Sequence, residues 1–197
     1  MSRKSLSMSI AHVVRIVSVP PVMVAILILL LFTLRDDVFA STAEMLVSLT
    51  CLSILPVLAY PLSVLIPAIK KKGRDGQRSL AMYLSTVGYL AVFIYGFVGG
   101  VSNHQRLVYT GYFLSVVILL VANKAFHVRA SGHACSVSGP LVYSAYFLGI
   151  WGIIIGAALW GLIFWASLVM KRHTVKEYFL GTLTCLVSFG VALIFFH

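Results

Sequence analysis

The chain has 197 residues, of which 60% are hydrophobic and 10% charged, and 15 lysine and arginine residues against 5 aspartate and glutamate residues give it a net charge of +10. A water-soluble domain of this length needs far more polar residues to cover its surface, so the composition excludes that class. It predicts an all-α polytopic membrane helix bundle that forms one integral membrane domain over residues 1–197.

Apolar segments close to the roughly 20 residues that a membrane-spanning helix needs follow one another along the chain. They predict about six or seven transmembrane helices, at roughly 11–34, 43–69, 79–101, 106–123, 133–149, 151–170 and 177–196. The first segment is too long and unbroken for a cleaved secretion signal, so we expect it to be retained. Prolines within these segments predict kinks, at Pro20, Pro21, Pro56, Pro61 and Pro67.

The apolar block from Pro140 to Met170 decides the number of helices. It is too long for one untilted helix, and "GIWG" in its middle offers Gly149 and Gly152 for a tight turn, which predicts two helices. A single tilted helix is the alternative. It would reduce the count to six and move the residues after it to the other side of the membrane.

The lysine and arginine residues are distributed unevenly over the two sides. With seven helices, the N-terminus and the loops "KKKGRDGQR", "NKAFHVRASGH" and "KRHTVKE" fall on one side, together with every lysine and arginine except Arg35 and Arg106. The positive-inside rule places this side in the cytoplasm. A site that binds phosphate also collects basic residues, so function is a second explanation of the bias.

Two of these loops carry histidines in a setting that suits an anion. In "NKAFHVRASGH", Lys124, Arg129 and His133 precede an apolar helix. Ser131 can cap the free N–H groups at the start of that helix, where an anion is stabilised. The three cysteines have neither a CxxC motif nor a Cys/His metal spacing, so we expect no disulfide framework and no structural zinc site.

The loop "KRHTVKE" adds a second histidine and a carboxylate. Lys171, Arg172 and His173 lie at the start of the last helix, and Glu177 follows His173 by four residues. Positions four apart share one face of a helix, so Glu177 can accept a hydrogen bond from one imidazole nitrogen and leave the other for a substrate.

Two histidines, a carboxylate and several cations are suited to phosphoryl transfer. One neutral imidazole attacks phosphorus, the other protonates the leaving oxygen, and the cations stabilise the non-bridging oxygens. This chemistry requires no metal and no other cofactor. The carboxylates on this side, Asp75 and Glu177, are too few for a typical magnesium site.

The same loops resemble a known family. "RASGHACSVSGP" resembles the "PSGH"-type motif of the type 2 phosphatidic acid phosphatase superfamily. "RHTVKEYFLG" is similar to that superfamily's final histidine motif, in which an acidic residue follows the histidine by four positions and a glycine by eight. "KKKGRDGQRSLAMYL" resembles the basic segment before the third helix of some prokaryotic members. The resemblance covers about residues 55–197, and it leaves the first helix, 11–34, peripheral to the core.

The resemblance implies a role for each matching residue. His173 would be the nucleophile that forms a phosphohistidine, Glu177 would orient it, and His133 would be the general acid. The residues implied in phosphate binding are Ser131, Gly132, Arg129, Lys124 and Arg172.

The chain also departs from the family pattern. Ala130 replaces the proline of "PSGH", Glu177 replaces the commoner aspartate, and the Arg-Pro element of the first motif is absent. Ser167 stands where the family has an arginine six residues before the final histidine, and Arg172 is the candidate to compensate. The loss of a phosphate-binding cation lowers activity, because stabilisation of the transferring group is usually a large effect.

We therefore expect a lipid phosphatase of the cell membrane with its site loops in the cytoplasm. It would hydrolyse a lipid phosphomonoester or an isoprenyl or polyprenyl (di)phosphate, and its partners would be this lipid and the bilayer, with no nucleic acid. One alternative is a catalytically degenerate member that binds or transports a lipid phosphate. The other is a small unrelated transporter, against which the helix interiors show no conspicuous charged pair.

Overall fold

The computed structural model describes residues 3–197, with side chains from residue 6 onward, and is all-α. Its helices are α1 (Arg3–Val17), α2 (Pro20–Leu34), α3 (Thr42–Leu65), the short α4 (Pro67–Lys70), α5 (Gly73–Val98), α6 (Asn103–Lys124), α7 (Gly132–Val169) and α8 (Val175–Phe196). Within these residues, 5 helices are long and apolar enough to cross a membrane, or 6 if α1 and α2 form one bent span, and this count takes α7 as a single helix. The predicted all-α membrane fold is confirmed.

The kink predicted at Pro20 and Pro21 is large enough to divide the first apolar segment into two helices. The axes of α1 and α2 differ by 54°. Val19 between them has an extended backbone (φ −61°, ψ 124°), which is the conformation that a following proline imposes. Helix α1 also begins at Arg3, well before the predicted start at residue 11.

Helix α3 changes its winding ahead of a proline. Residues Thr50–Ile54 form a π-helical turn, and the Leu55 N–H donates to the Thr50 carbonyl five residues earlier. Pro56 follows at once and has no N–H to continue the α-helical pattern. The helix ends at Leu65, where Ile66 is extended before Pro67 (φ −88°, ψ 110°).

Helix α7 reverses its direction at Gly149. This residue has φ 61° and ψ −137°, which side chains rarely permit. A Cβ on Gly152 would lie 1.9 Å from the Ser144 carbonyl oxygen, and one on Gly156 would lie 3.4 Å from that of Leu141. The two halves of α7 therefore run antiparallel and in contact. The turn predicted at "GIWG" is confirmed, and the single tilted helix is excluded.

Helix α6 lies at the centre of the bundle, against α5, α7 and α8. Leu107 and Tyr109 in its first half are completely buried. The Tyr143 hydroxyl of α7 donates to the Leu107 carbonyl at 3.2 Å. This contact joins the first half of α7 to the central helix.

Arg35 closes the end of the bundle at which α7 reverses. It donates two hydrogen bonds to the Asp37 carboxylate, at 2.8 and 2.7 Å, and these bonds lower the pKa of Asp37 to about 2. It also donates to the Phe147 carbonyl at 2.6 Å. The break at Gly149 deprives that carbonyl of its helical donor, so Arg35 satisfies the end of the first half of α7. His104 Nδ1 lies 2.8 Å from Asp37 Oδ2 at the same place.

Two glycines on the second half of α7 give a matched test of the reversal. We expect Gly152→Ala to lower the free energy of unfolding by about 1–3 kcal/mol, because its Cβ would overlap the Ser144 carbonyl. Gly161→Ala meets no atom within 4 Å and should raise the free energy of unfolding by about 0.5–1 kcal/mol through helix propensity. Thermal unfolding in detergent measures both, and equal effects at the two sites would contradict the antiparallel packing.

Candidate functional site

The rings of His133 and His173 lie side by side, with their centroids 6.4 Å apart and their planes 10° from parallel. His133 is in the first turn of α7, and His173 lies in the turn between α7 and α8. A straight helix of 38 residues would separate its two ends by about 57 Å. The reversal at Gly149 is therefore what brings the two histidines together.

Ser131 caps the start of α7, as predicted. Its Oγ accepts a hydrogen bond from the Ala134 N–H at 3.1 Å, and its own N–H donates to the Glu177 carbonyl at 2.9 Å. Helix α8 comes this close because Gly181 has no side chain. A Cβ there would lie 2.2 Å from the Ser131 carbonyl oxygen. The glycine eight residues after His173 thus holds the two histidine-bearing segments against each other.

Glu177 lies near His173, but for a different reason from the one predicted. Helix α8 begins at Val175 with Thr174 as its N-cap, so His173 precedes the helix and does not share a helical face with Glu177. The Thr174 N–H donates to Glu177 Oε2 at 3.0 Å, and the Glu177 N–H donates to Thr174 Oγ1 at 3.2 Å. This capping box turns the carboxylate back along the chain. The same Oε2 lies 3.8 Å from His173 Nδ1, within ion-pair range and too far for a hydrogen bond.

Four arginines from three parts of the chain interact electrostatically at this end of the bundle: Arg15 of α1, Arg74 and Arg78 of α5, and Arg172 of the turn before α8. Arg15 interacts electrostatically with the other three and with both histidines. Arg78 also acts on His173. No ion pair joins any of these arginines to a carboxylate in residues 6–197. Like charges without an acidic partner repel one another, and a bound anion would relieve that repulsion.

Burial of the ring lowers the pKa of His173 below its ordinary value of 6.5. The charge of Glu177 raises this pKa, and the charges of Arg78 and Arg15 lower it further. The net effect favours a neutral imidazole at neutral pH, which is the form that can act as a nucleophile.

Arg15 and Arg78 are the residues that sequence reasoning missed. The sequence predicts that the first helix, 11–34, is peripheral to the core, which gave no reason to assign Arg15 to the site. In the structure, α1 packs against α7, and Arg15 acts on both histidines. An arginine within an apolar segment was the available signal, since such a residue usually has a function. Arg78 ends the basic segment "KKKGRDGQR".

Lys124 and Arg129 lie apart from this arrangement. Lys124 ends α6, Arg129 lies in the loop before α7, and both are exposed. No hydrogen bond or ion pair joins either side chain to another residue with a described side chain, and neither is among the charges that act on the histidines. Their assignment to the phosphate stays a prediction, as does that of Gly132, the first residue of α7. Arg172 is not among those charges either, but it interacts with Arg15 and so belongs to the group of four arginines.

Within residues 6–197, no three His, Cys, Asp or Glu side chains are grouped so that they could hold a metal ion. The arrangement offers instead two imidazoles for nucleophilic or acid–base chemistry, and cations for an anion. Comparison of the chain with models of protein families, with curated proteins and with solved structures finds no match. The similarity to the type 2 phosphatidic acid phosphatases therefore rests on the short motifs quoted above.

The charges around His173 predict two opposite shifts of its pKa. Glu177→Gln should lower this pKa, because it removes the charge that raises it, and Arg78→Gln should raise it. Titration of the labelled histidine by NMR in micelles measures both. Arg106→Gln, at the other end of the bundle, is the control and should leave the pKa unchanged. Shifts of the same sign in the two test variants would contradict the geometry.

Proposed function

We propose that the protein hydrolyses a phosphate ester or diphosphate carried by a membrane lipid. The observation that carries the proposal is the pair of parallel imidazoles, His133 and His173, together with four mutually repelling arginines, two of which act on the histidines. None of the four forms an ion pair with a carboxylate in residues 6–197. The arginines would bind the phosphate oxygens, and the imidazoles would perform the transfer. The activity is that of a lipid phosphate phosphatase, the class that the sequence motifs resemble.

The reaction would proceed in two steps. Neutral His173 attacks phosphorus, and the bond from phosphorus to the leaving oxygen breaks. The negative charge of the bound phosphate would favour the protonated form of His133, which donates its proton to that oxygen. Water then attacks phosphorus while neutral His133 accepts its proton, and the bond from phosphorus to His173 breaks. This step releases inorganic phosphate and returns His173 to the neutral form and His133 to the protonated form. Arg15 and Arg78 would stabilise charge on the non-bridging oxygens in both steps.

The position of the site suits a substrate held in a bilayer. Both histidines lie at one end of the apolar helices, where lipid headgroups meet water, and hydrocarbon surrounds the helices themselves. The basic loops lie at this end, whereas Arg35 and Arg106 lie at the other. By the positive-inside rule, this distribution supports a site on the cytoplasmic side of the cell membrane.

A second candidate is a protein that binds or transports the lipid phosphate without hydrolysing it. Two observations favour it. Ser167, at the family's arginine position, is buried and offers no cation. The Glu177 oxygen nearest His173 already accepts the Thr174 N–H, so it orients the imidazole less firmly than a dedicated hydrogen bond would.

Phosphate release tests the proposal. Purified protein in detergent with EDTA should release phosphate from at least one of phosphatidate, lysophosphatidate, farnesyl diphosphate and undecaprenyl diphosphate. His173→Ala should abolish release, and Arg78→Gln should lower it about 10²- to 10³-fold. Lys71→Gln, an exposed basic residue of the same end, is the control and should retain activity. Release that persists in His173→Ala would rule out this mechanism, and binding without release would favour the second candidate.

The pKa of His173 also predicts the acidic side of the pH profile. Because the folded pKa lies below 6.5, the neutral nucleophile persists below pH 6.5. Activity should therefore fall only as the pH drops through this lower value. In Arg78→Gln the fall should begin at a higher pH, because that pKa rises. Measurement of kcat/KM against pH checks this, and an acidic limb unchanged by Arg78→Gln would contradict it.

A further inference from the structure

An apolar groove lies between α6 and α8, at the same end of the bundle as the histidines, and has a volume of about 170 Å³. Ile118 and Ala122 of α6 form one wall, and Leu180, Leu183 and Val187 of α8 form the other. The one hydroxyl among the lining side chains belongs to Thr184. It donates to the Leu180 carbonyl at 2.9 Å, so its proton is not available to an occupant.

The loop that closes one end of the groove is held in place by hydrogen bonds. The Val128 N–H donates to the Ala122 carbonyl at 2.9 Å. The Asn123 amide binds the Ala130 backbone at both its N–H and its carbonyl, at 2.7 and 3.1 Å. His127 between these points has a left-handed backbone, with φ 51°, which this network maintains. These hydrogen bonds therefore fix the shape of the groove at this end.

Exposed cations lie at the membrane-surface end of this groove. Lys176 precedes Leu180 by four residues and Leu183 by seven, so it shares their face of α8. Arg129 stands between two lining residues, Val128 and Ala130. Lys124 ends α6, two residues after Ala122.

None of these three cations forms an ion pair within the part of the chain whose side chains are described. The adjacent carboxylate, Glu177, is engaged with Thr174 and His173. The charges of Lys124, Arg129 and Lys176 are thus available to an external anion.

An apolar groove with unpaired cations at one end suits a molecule that has both a hydrocarbon chain and a negative headgroup. A hydrocarbon chain fills a groove without open polar groups, and a negative headgroup attached to that chain reaches the cations at its end. We infer that an anionic phospholipid of the surrounding leaflet binds here, with one acyl chain between α6 and α8 and its phosphate near Arg129 and Lys176. Lys124 and Arg129 then act on this lipid and not on the catalytic phosphate. The site is independent of the proposed hydrolysis.

Retention of lipid by the purified protein tests this site. In detergent with equal phosphatidylglycerol and phosphatidylcholine, native mass spectrometry should find one phosphatidylglycerol retained in preference. Ala122→Phe fills the groove and should reduce retention at least tenfold. Ala157→Phe is the matched control, because Ala157 is exposed on α7 outside the groove, and it should retain the lipid.

A second variant distinguishes the loss of the lipid site from a folding defect. The double variant Arg129→Gln/Lys176→Gln changes only exposed side chains and should abolish the preference for phosphatidylglycerol. Equal retention of the two lipids by the unmodified protein would overturn the inference. So would retention that survives Ala122→Phe and disappears in Arg78→Gln, since the lipid would then lie at the arginines. A dimer that forms through the groove without lipid would also overturn it.

Discussion

The backbone reversal at Gly149 is the constraint on which the rest of the structure depends. It requires a residue without a side chain at the turn, another at Gly152 where the two halves of α7 first touch, and a donor for the carbonyl that the turn leaves free. Arg35, the residue that follows α2, supplies that donor. Because these conditions are met at one end of the bundle, the two histidines meet at the other.

Charged side chains are paired at one end of the bundle and unpaired at the other. At the end near Gly149, the Arg35 guanidinium is paired with the Asp37 carboxylate, and His104 Nδ1 lies 2.8 Å from the same carboxylate. At the histidine end, the arginines repel one another and no carboxylate within the described side chains pairs with them. Their repulsion destabilises the structure until an anion binds between them, and this arrangement is expected of an anion-binding site.

Much of the bundle follows from composition and from glycine and proline, because apolar segments of spanning length and breaks in them are local properties of the sequence. The turn at Gly149 and the cap at Ser131 are examples. Contacts between distant segments could not be predicted in the same way. Arg15 reaches the histidines only because α1 turns by 54° and packs on α7, and no local pattern specifies that docking. The contact of Glu177 with His173 follows from Thr174, whose capping role moves the helix start past His173 and replaces the expected helical geometry.

The hairpin in α7 also constrains how the length of this chain can change in evolution. Each residue added to one half displaces everything beyond it by about 1.5 Å and rotates it by about 100°. A single insertion between His133 and Gly149 would therefore turn one imidazole away from the other, although the overall fold would tolerate it. An insertion that keeps the two histidines together must be accompanied by one in the other half of the hairpin, or must fall in a loop outside it. The spacing between the histidines thus depends on the lengths of both halves of the hairpin, and segments outside the hairpin are freer to change in length.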